Sequence, residues 1–263
     1  MFSMTNRVSV TYAERFAANL GVWVGVLLVA VLVAGLQTAQ AASIAWNSPV
    51  TVDDDLDIQN GGNVHVAADF NTAEGFGAGD GVINGISFMQ VDSAGIAGRL
   101  SHTFASGPNN GAAAYAATAP VGMDLDLVEL LDSHSWNPGD PATATVTLEG
   151  LTIGRAYQIQ VLGAVDLRTC CSMRAYEPDD GAGNFDTGVS VQRGLVQSVI
   201  GTFTADAGTQ AFLWRSLGDA TGNNDAAMSG LVVLRIPEPS SIMLAAWGLG
   251  LYVGAVIRRR FAE

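Results

Sequence analysis

Thr143-Ala144-Thr145-Val146-Thr147-Leu148 and Tyr157-Gln158-Ile159-Gln160-Val161-Leu162 decide the fold class. Successive side chains of a strand point to opposite faces, so alternating polarity marks a strand with one buried face. Ala144, Val146 and Leu148 share one face of the first run. Tyr157, Ile159 and Val161 share one face of the second.

Similar runs lie on both sides. Asn63–Phe70, Val82–Val91 and Arg99–Ala105 precede the pair. Ser198–Ala205, Gln210–Leu217 and Gly230–Ile236 follow it. Gly, Asn and Asp clusters separate these runs, as turns require. Many short strands with turns between them predict an all-β domain, a single jelly-roll-like β-sandwich. One segment has a different period. In Asp124–Asp132, Leu127, Leu130 and Leu131 recur at helical spacing behind acidic residues, which the helix dipole favours at its start. This predicts one short helix covering an end or edge of the sandwich. Leu167–Leu195 is polar and turn-rich and reads as an excursion between two strands.

The ends of the chain read as addresses. Arg7 and Arg15 precede an apolar run from Leu20 to Leu36, and Ala39-Gln40-Ala41 is a small-x-small cleavage signature. Residues 1–41 are therefore expected to be a signal peptide cut by signal peptidase, with an uncleaved anchor as the alternative. At the other end come Pro237-Glu238-Pro239, the uncharged stretch Ser240–Ile257, and Arg258-Arg259-Arg260. The two prolines enforce an extended joint. The apolar stretch is long enough for a transmembrane helix, and the arginines would stay cytoplasmic. An ordinary anchor with a chance proline pair is the alternative.

That order of parts resembles the PEP-CTERM tail of Gram-negative bacteria. The resemblance implies recognition by the membrane protease exosortase, cleavage near Pro237-Glu238-Pro239, and transfer to the cell surface or extracellular matrix. Residues 237–263 would be the sorting signal and residues 42–236 the exported β-sandwich. A second resemblance covers nearly all of that exported part. Val82-Ile83-Asn84-Gly85-Ile86-Ser87-Phe88, Leu130-Leu131-Asp132-Ser133 before Trp136, Leu148-Glu149-Gly150-Leu151-Thr152-Ile153-Gly154 and Ile200-Gly201-Thr202-Phe203-Thr204-Ala205-Asp206 carry it. Together they look like an uncharacterised β-sandwich domain of PEP-CTERM proteins from planctomycetes and related bacteria. There an Asp-x-Arg follows the Tyr-led strand, here Asp166-Leu167-Arg168. The resemblance implies fold and location and carries over no catalytic residue.

Charge narrows the partners. The chain has no lysine and a net charge of −13. Without residues 1–41 and 238–263, 7 basic and 22 acidic residues remain, a net charge of −15. Such a surface repels nucleic acid, anionic lipid and acidic polysaccharide, and it suits divalent cations. The two cysteines, Cys170 and Cys171, are adjacent. They could join in a strained vicinal disulfide, remain thiols or bridge two chains.

Several residues are candidates for chemistry. Asp53-Asp54-Asp55-Leu56-Asp57 gathers four carboxylates, and Glu177–Asp186 combines carboxylates, an amide and glycines. Asp179, Asp180, Asn184 and Asp186 are the candidate calcium ligands, against a plain solvated turn. Asp219, Asn223, Asn224 and Asp225 form a third polar loop. His65, His102 and His134 lack zinc spacing, and no serine sits in a Gly-x-Ser-x-Gly elbow. Core packing is the default for Trp46, Trp136, Trp214, Tyr115 and Tyr176; Tyr176, beside the acidic loop, is the best candidate for an exposed aromatic that stacks on a sugar. Asp166 and Arg168 are expected either to pair structurally or to bind a ligand. The expected role is an exported, non-enzymatic surface or matrix protein, with glycan binding to a surface polysaccharide as its leading specific form. The alternative is a carbohydrate-active hydrolase with paired carboxylates.

Overall fold

The computed structural model describes residues 42–70, 81–109, 119–139, 141–167, 174–185, 188–218 and 225–237. Residues 1–41, expected to be a signal peptide, and Arg168, Cys170, Cys171, Asp186, Glu238, Pro239, Ser240–Ile257 and Arg258–Arg260 lie outside them. Among the described residues no helix is long and apolar enough to cross a membrane.

In chain order the strands are β1 (Ala45–Trp46), β2 (Val50–Thr51), β3 (Asn63–Asp69), β4 (Val82–Ile83), β5 (Ile86–Ser87), β6 (Met89–Gln90), β7 (Leu100–His102) and β8 (Ser106–Asn109). After the helix Leu125–Asp132 come β9 (His134–Asn137), β10 (Thr143–Glu149), β11 (Ala156–Gly163), β12 (Ala175–Pro178), β13 (Val191–Gln192), β14 (Gln197–Thr204), β15 (Thr209–Leu217) and β16 (Ala226–Arg235). The first sheet runs β1-β14-β11-β16-β3-β6, with β2 joining β14 and the β8–β9 pair joining the start of β16. The second runs β13-β12-β15-β10-β7, and β4–β5 is a separate hairpin.

Among the described residues the chain is an all-β sandwich with one short α-helix. Ala144, Val146, Leu148, Phe212 and Trp214 of the second sheet pack with Val66, Ala68, Tyr157, Ile159, Val161, Leu231 and Val233 of the first. The alternation in β10 and β11 therefore faces inward as the sequence predicts. Cross-strand register fixes it further: Val146 lies opposite Phe212, and Ile159 lies between Gly201 and Val233. Trp214 stacks on Tyr176 at 5.7 Å between centroids, and its Nε1 donates to the Ala227 carbonyl across the sandwich at 2.8 Å.

A second apolar cluster lies on the other face of the first sheet. Ala67, Leu162, Val232 and Leu234 meet Leu127, Leu130 and Leu131 of the helix and Ile83, Ile86 and Phe88 from the hairpin segment. The helix thus covers a sheet face, not an end or edge. It starts where the sequence says. Asp124 is its N-cap, accepting from the Asp126 and Leu127 amides at 2.9 and 3.2 Å. Val82–Val91 is not one strand. Asn84 and Gly85 have φ of 49° and 76°, which turns the chain into the β4–β5 hairpin. Asn84 also donates through Nδ2 to the Ile58 carbonyl at 2.7 Å, tying that turn to the segment between β2 and β3.

The arrangement makes a mutational contrast. Leu130 is fully buried beneath the helix and Leu125 is 76% exposed on it. Leu130→Ala should cost about 2–5 kcal/mol, through lost burial and the cavity left behind. Leu125→Ala should stay within about 0.5 kcal/mol. Urea unfolding of the two variants measures both.

Candidate functional site

Charged side chains meet at one end of the sandwich interior. Asp166 follows β11, Arg174 precedes β12, Arg193 follows β13, Asp225 leads into β16, and His134 opens β9. Backbone bonds bring three of these feet together. The Asp166 amide donates to the Arg193 carbonyl at 3.0 Å, and the Arg193 amide donates to the Arg174 carbonyl at 2.8 Å.

Arg193 is the hub. One terminal nitrogen, Nη1, donates to Asp225 Oδ2 at 2.8 Å. The other, Nη2, lies 3.1 Å from Asp166 Oδ2 and 3.0 Å from His134 Nε2. Arg174 pairs with the second oxygen of Asp225. The Arg193 and Asp166 side chains are 1% and 0% exposed, so the pair is removed from water. Burial acts to lower the basicity of Arg193. The attraction of the Asp225 and Asp166 carboxylates acts the other way, and the net direction is a guanidinium charge held more firmly than usual. Two guanidinium groups against two carboxylates leave the cluster balanced, which a buried ion group requires.

The aromatic singled out from the sequence is part of this interior. Tyr176 is not exposed; it is fully buried on β12 and stacked on Trp214. Burial pushes its phenol up, with Arg193 pulling the other way. A sugar cannot stack on it. The excursion reading of Leu167–Leu195 needs the same correction: β12 and β13 within it complete the second sheet. Glu177 is also fully buried, since Arg215 grips its Oε1 and the Phe185 ring lies 3.7 Å from the Arg215 guanidinium carbon. Asp166 does make a structural ion pair, and Arg193 supplies the guanidinium the structure shows there. Asp225, expected in a polar loop, is mostly buried at the cluster. Asp219, Asn223 and Asn224 lie outside the described residues.

The candidate calcium loop spends its oxygens on itself. Asp179 accepts from the Leu213 amide at 2.6 Å and the Gly183 amide at 2.8 Å. Asp180 accepts from the amides of Ala182 and Asn184 and from the Asn184 side-chain amide, at 2.8, 3.0 and 2.9 Å. The Asn184 bond, ahead of the backbone bonds, holds the Asp180 carboxyl below its usual range. Asp53–Asp57 behaves alike: Asp54 caps a short 3-10 turn and Asp57 Oδ2 reaches back to the Asp53 amide at 2.7 Å. Among the described residues no three His, Cys, Asp or Glu side chains are grouped to hold a metal ion.

The histidines are structural in their contacts. His65 meets the Glu149 carbonyl at 2.7 Å and Arg99 at 3.3 Å, and burial holds it below the usual imidazole range. His102 meets the Asp92 carbonyl at 3.0 Å. Paired-carboxylate hydrolysis needs one acid able to give a proton and a second carboxylate across a cleft. Asp166 and Asp225, the carboxylates brought together here, are each engaged by a guanidinium. Comparison with known proteins found no matching family model, curated protein or solved structure.

Sequence reasoning missed Arg174, Arg193 and His134. The available signal was scarcity. Residues 42–237 hold seven arginines and no lysine, and three of the seven, Arg168, Arg174 and Arg193, fall inside the polar segment Leu167–Leu195 next to Asp166.

Three measurements follow from this geometry. Arg193→Ala strands Asp166 and Asp225 in the interior and should cost about 3–5 kcal/mol in urea unfolding, far more than Arg99→Ala at an exposed site. In the Glu177–Asp186 loop, calcium and magnesium at matched ionic strength should shift the melting temperature equally, as general screening does. Carbon-13 NMR titration of Asn184→Ala should show the Asp180 carboxyl rising toward its ordinary range, so that this carboxylate protonates earlier as pH falls.

Proposed function

We propose that the chain is an exported, non-enzymatic surface or matrix protein, delivered by an exosortase-type system and left outside a Gram-negative-type cell as a folded β-sandwich. The carrying observation is the order Pro237-Glu238-Pro239, Ser240–Ile257, Arg258–Arg260, with a leader-like segment at residues 1–41. The last strand, β16, ends at Arg235, and a backbone bond from the Ile236 amide to the Ala156 carbonyl at 2.9 Å follows it, directly before Pro237. A protease acting near the prolines would therefore cut beside the sheet without removing a strand of it.

Three properties support a non-catalytic role. The carboxylates that meet in the interior are neutralised by arginines. The acidic loops satisfy their own amides. The apolar residues line two packed cores. The more specific form, binding of a neutral surface polysaccharide, has one supporting surface. Thr143, Thr145 and Thr147 alternate with core residues on β10 and so line the outer face of the second sheet, with Thr209 opposite Glu149. This is a hydroxyl-bearing strip in a strongly acidic domain. Hydrogen bonding, not aromatic stacking, would hold a glycan there.

Intact-mass analysis of protein recovered from the native envelope tests the main reading. The expected mature form starts near Ala42 and lacks the segment after about Pro239. Mature protein that always retains Arg258–Arg260 would leave a simple membrane anchor and remove the sorting step.

A further inference from the structure

An arginine side chain only donates hydrogen bonds. Arg193 Nη2 lies 3.0 Å from His134 Nε2, and both side chains are buried, at 1% and 0% exposure for the residues. For this contact to be a hydrogen bond, Nε2 must be the acceptor, so the imidazole must be neutral with its proton on Nδ1. Protonation at Nε2 would turn an acceptor into a second donor and place a third positive charge among the cluster's two guanidinium groups. We propose that His134 and Arg193 form an acid-released latch at this end of the sandwich, holding together the feet of β9, β11, β12, β13 and β16.

The charged surroundings fix the direction. Arg193 faces the imidazole directly. Asp166 and Asp225 approach through the same guanidinium, and Arg174 lies beyond Asp225. Tyr176 enters from β12 as a buried, uncharged phenol. Along its own segment the nearest charged residues are Asp132 and Glu129, on the preceding helix. The folded cluster is balanced with the imidazole neutral. In the unfolded chain an imidazole takes up a proton near about pH 6.5. The unfolded state then binds more protons than the folded one, so stability is full above that range and falls as the solution is acidified through it. Once His134 protonates, Arg193 loses one of its three side-chain partners, and the backbone bonds from the Asp166 and Arg193 amides lose the hub that packs them.

The test uses the full chain. Urea unfolding at about pH 7.5 and about pH 5.5 should show the unfolding constant rising on acidification. His134→Gln keeps a neutral acceptor for Arg193 and cannot titrate, so its rise should be smaller, by on the order of tenfold per unit of suppressed titration. His65→Gln controls for the half-buried imidazole of β3 and should leave the His134 part in place. Nitrogen-15 NMR of the unmodified chain supplies a readout that needs no variant. The His134 ring should stay neutral, with hydrogen on Nδ1, below about pH 6.5, and its eventual protonation should coincide with faster exchange of the Asp166 and Arg193 amides. Equal acid loss in His134→Gln and the unmodified chain overturns the latch. So does an imidazole that protonates while those two amides stay protected.

Discussion

Burial of β16 on both faces is the constraint on which the rest depends. From Ala226 to Leu234 every residue of this strand is buried, and only Arg235 is exposed. Leu231 and Val233 face the sandwich core; Val232 and Leu234 face the helix and hairpin. A strand covered on both sides must be apolar nearly throughout and must hydrogen-bond on both edges. It does so with β11 along one edge and with β3 and β9 along the other. Gly230 in the middle gives Leu130 and Leu162 room: a β-carbon there would sit 3.1 Å from their methyl groups, which would have to shift by a few tenths of an ångström. Both cores are organised around this strand.

The ionic cluster sits where that strand begins. Ala226 and Ala227 are too small to close the end of the interior alone, and Asp225 immediately before them carries the network across to Arg193 and Arg174. Burying ions is costly, and a well-packed apolar end would be at least as stable. The gain is placement. Arg193 has several donors in a fixed plane and can specify where Asp166, Asp225 and His134 lie relative to one another. Such a joint suits segments that arrive from distant parts of the chain. It also makes the end of the domain responsive to protons, as an apolar plug would not be.

Legibility followed from local periodicity. β10, β11 and β15 were readable because each alternates polar and apolar residues over several positions, and β3 and β14 because extended runs with partial alternation are bounded by turn residues. The helix was readable because Asp124 caps it and its leucines repeat at helical spacing. The beginning of β16 was not, since Ala226-Ala227-Met228-Ser229 has neither alternation nor β-branched residues. β12 was hidden for another reason: Ala175-Tyr176-Glu177-Pro178 carries a charge and a proline, and only Arg215, from β15, makes that charge tolerable inside. The same long-range pairing explains why the exposed reading of Tyr176 failed and core packing held: its polar sequence neighbours suggested a solvated loop, but β12 pairs with β15. Asp166 was recognisable as one half of an ion pair, whereas its observed partner on Arg193 is a tertiary fact. Self-capping of the acidic turns was partly legible, because Asp54 and Asp57 stand at capping-box spacing.

Native-state hydrogen exchange across β16 tests the account most directly. Amide protection measures how much of the structure must open before a given bond is exposed. If this strand organises both cores, the amides of Leu231–Leu234 and their β11 partners should be the slowest in the full chain and should exchange only with global unfolding. Faster exchange there than in β10 and β15 would contradict the account, because the sandwich would then hold together without its two-faced central strand.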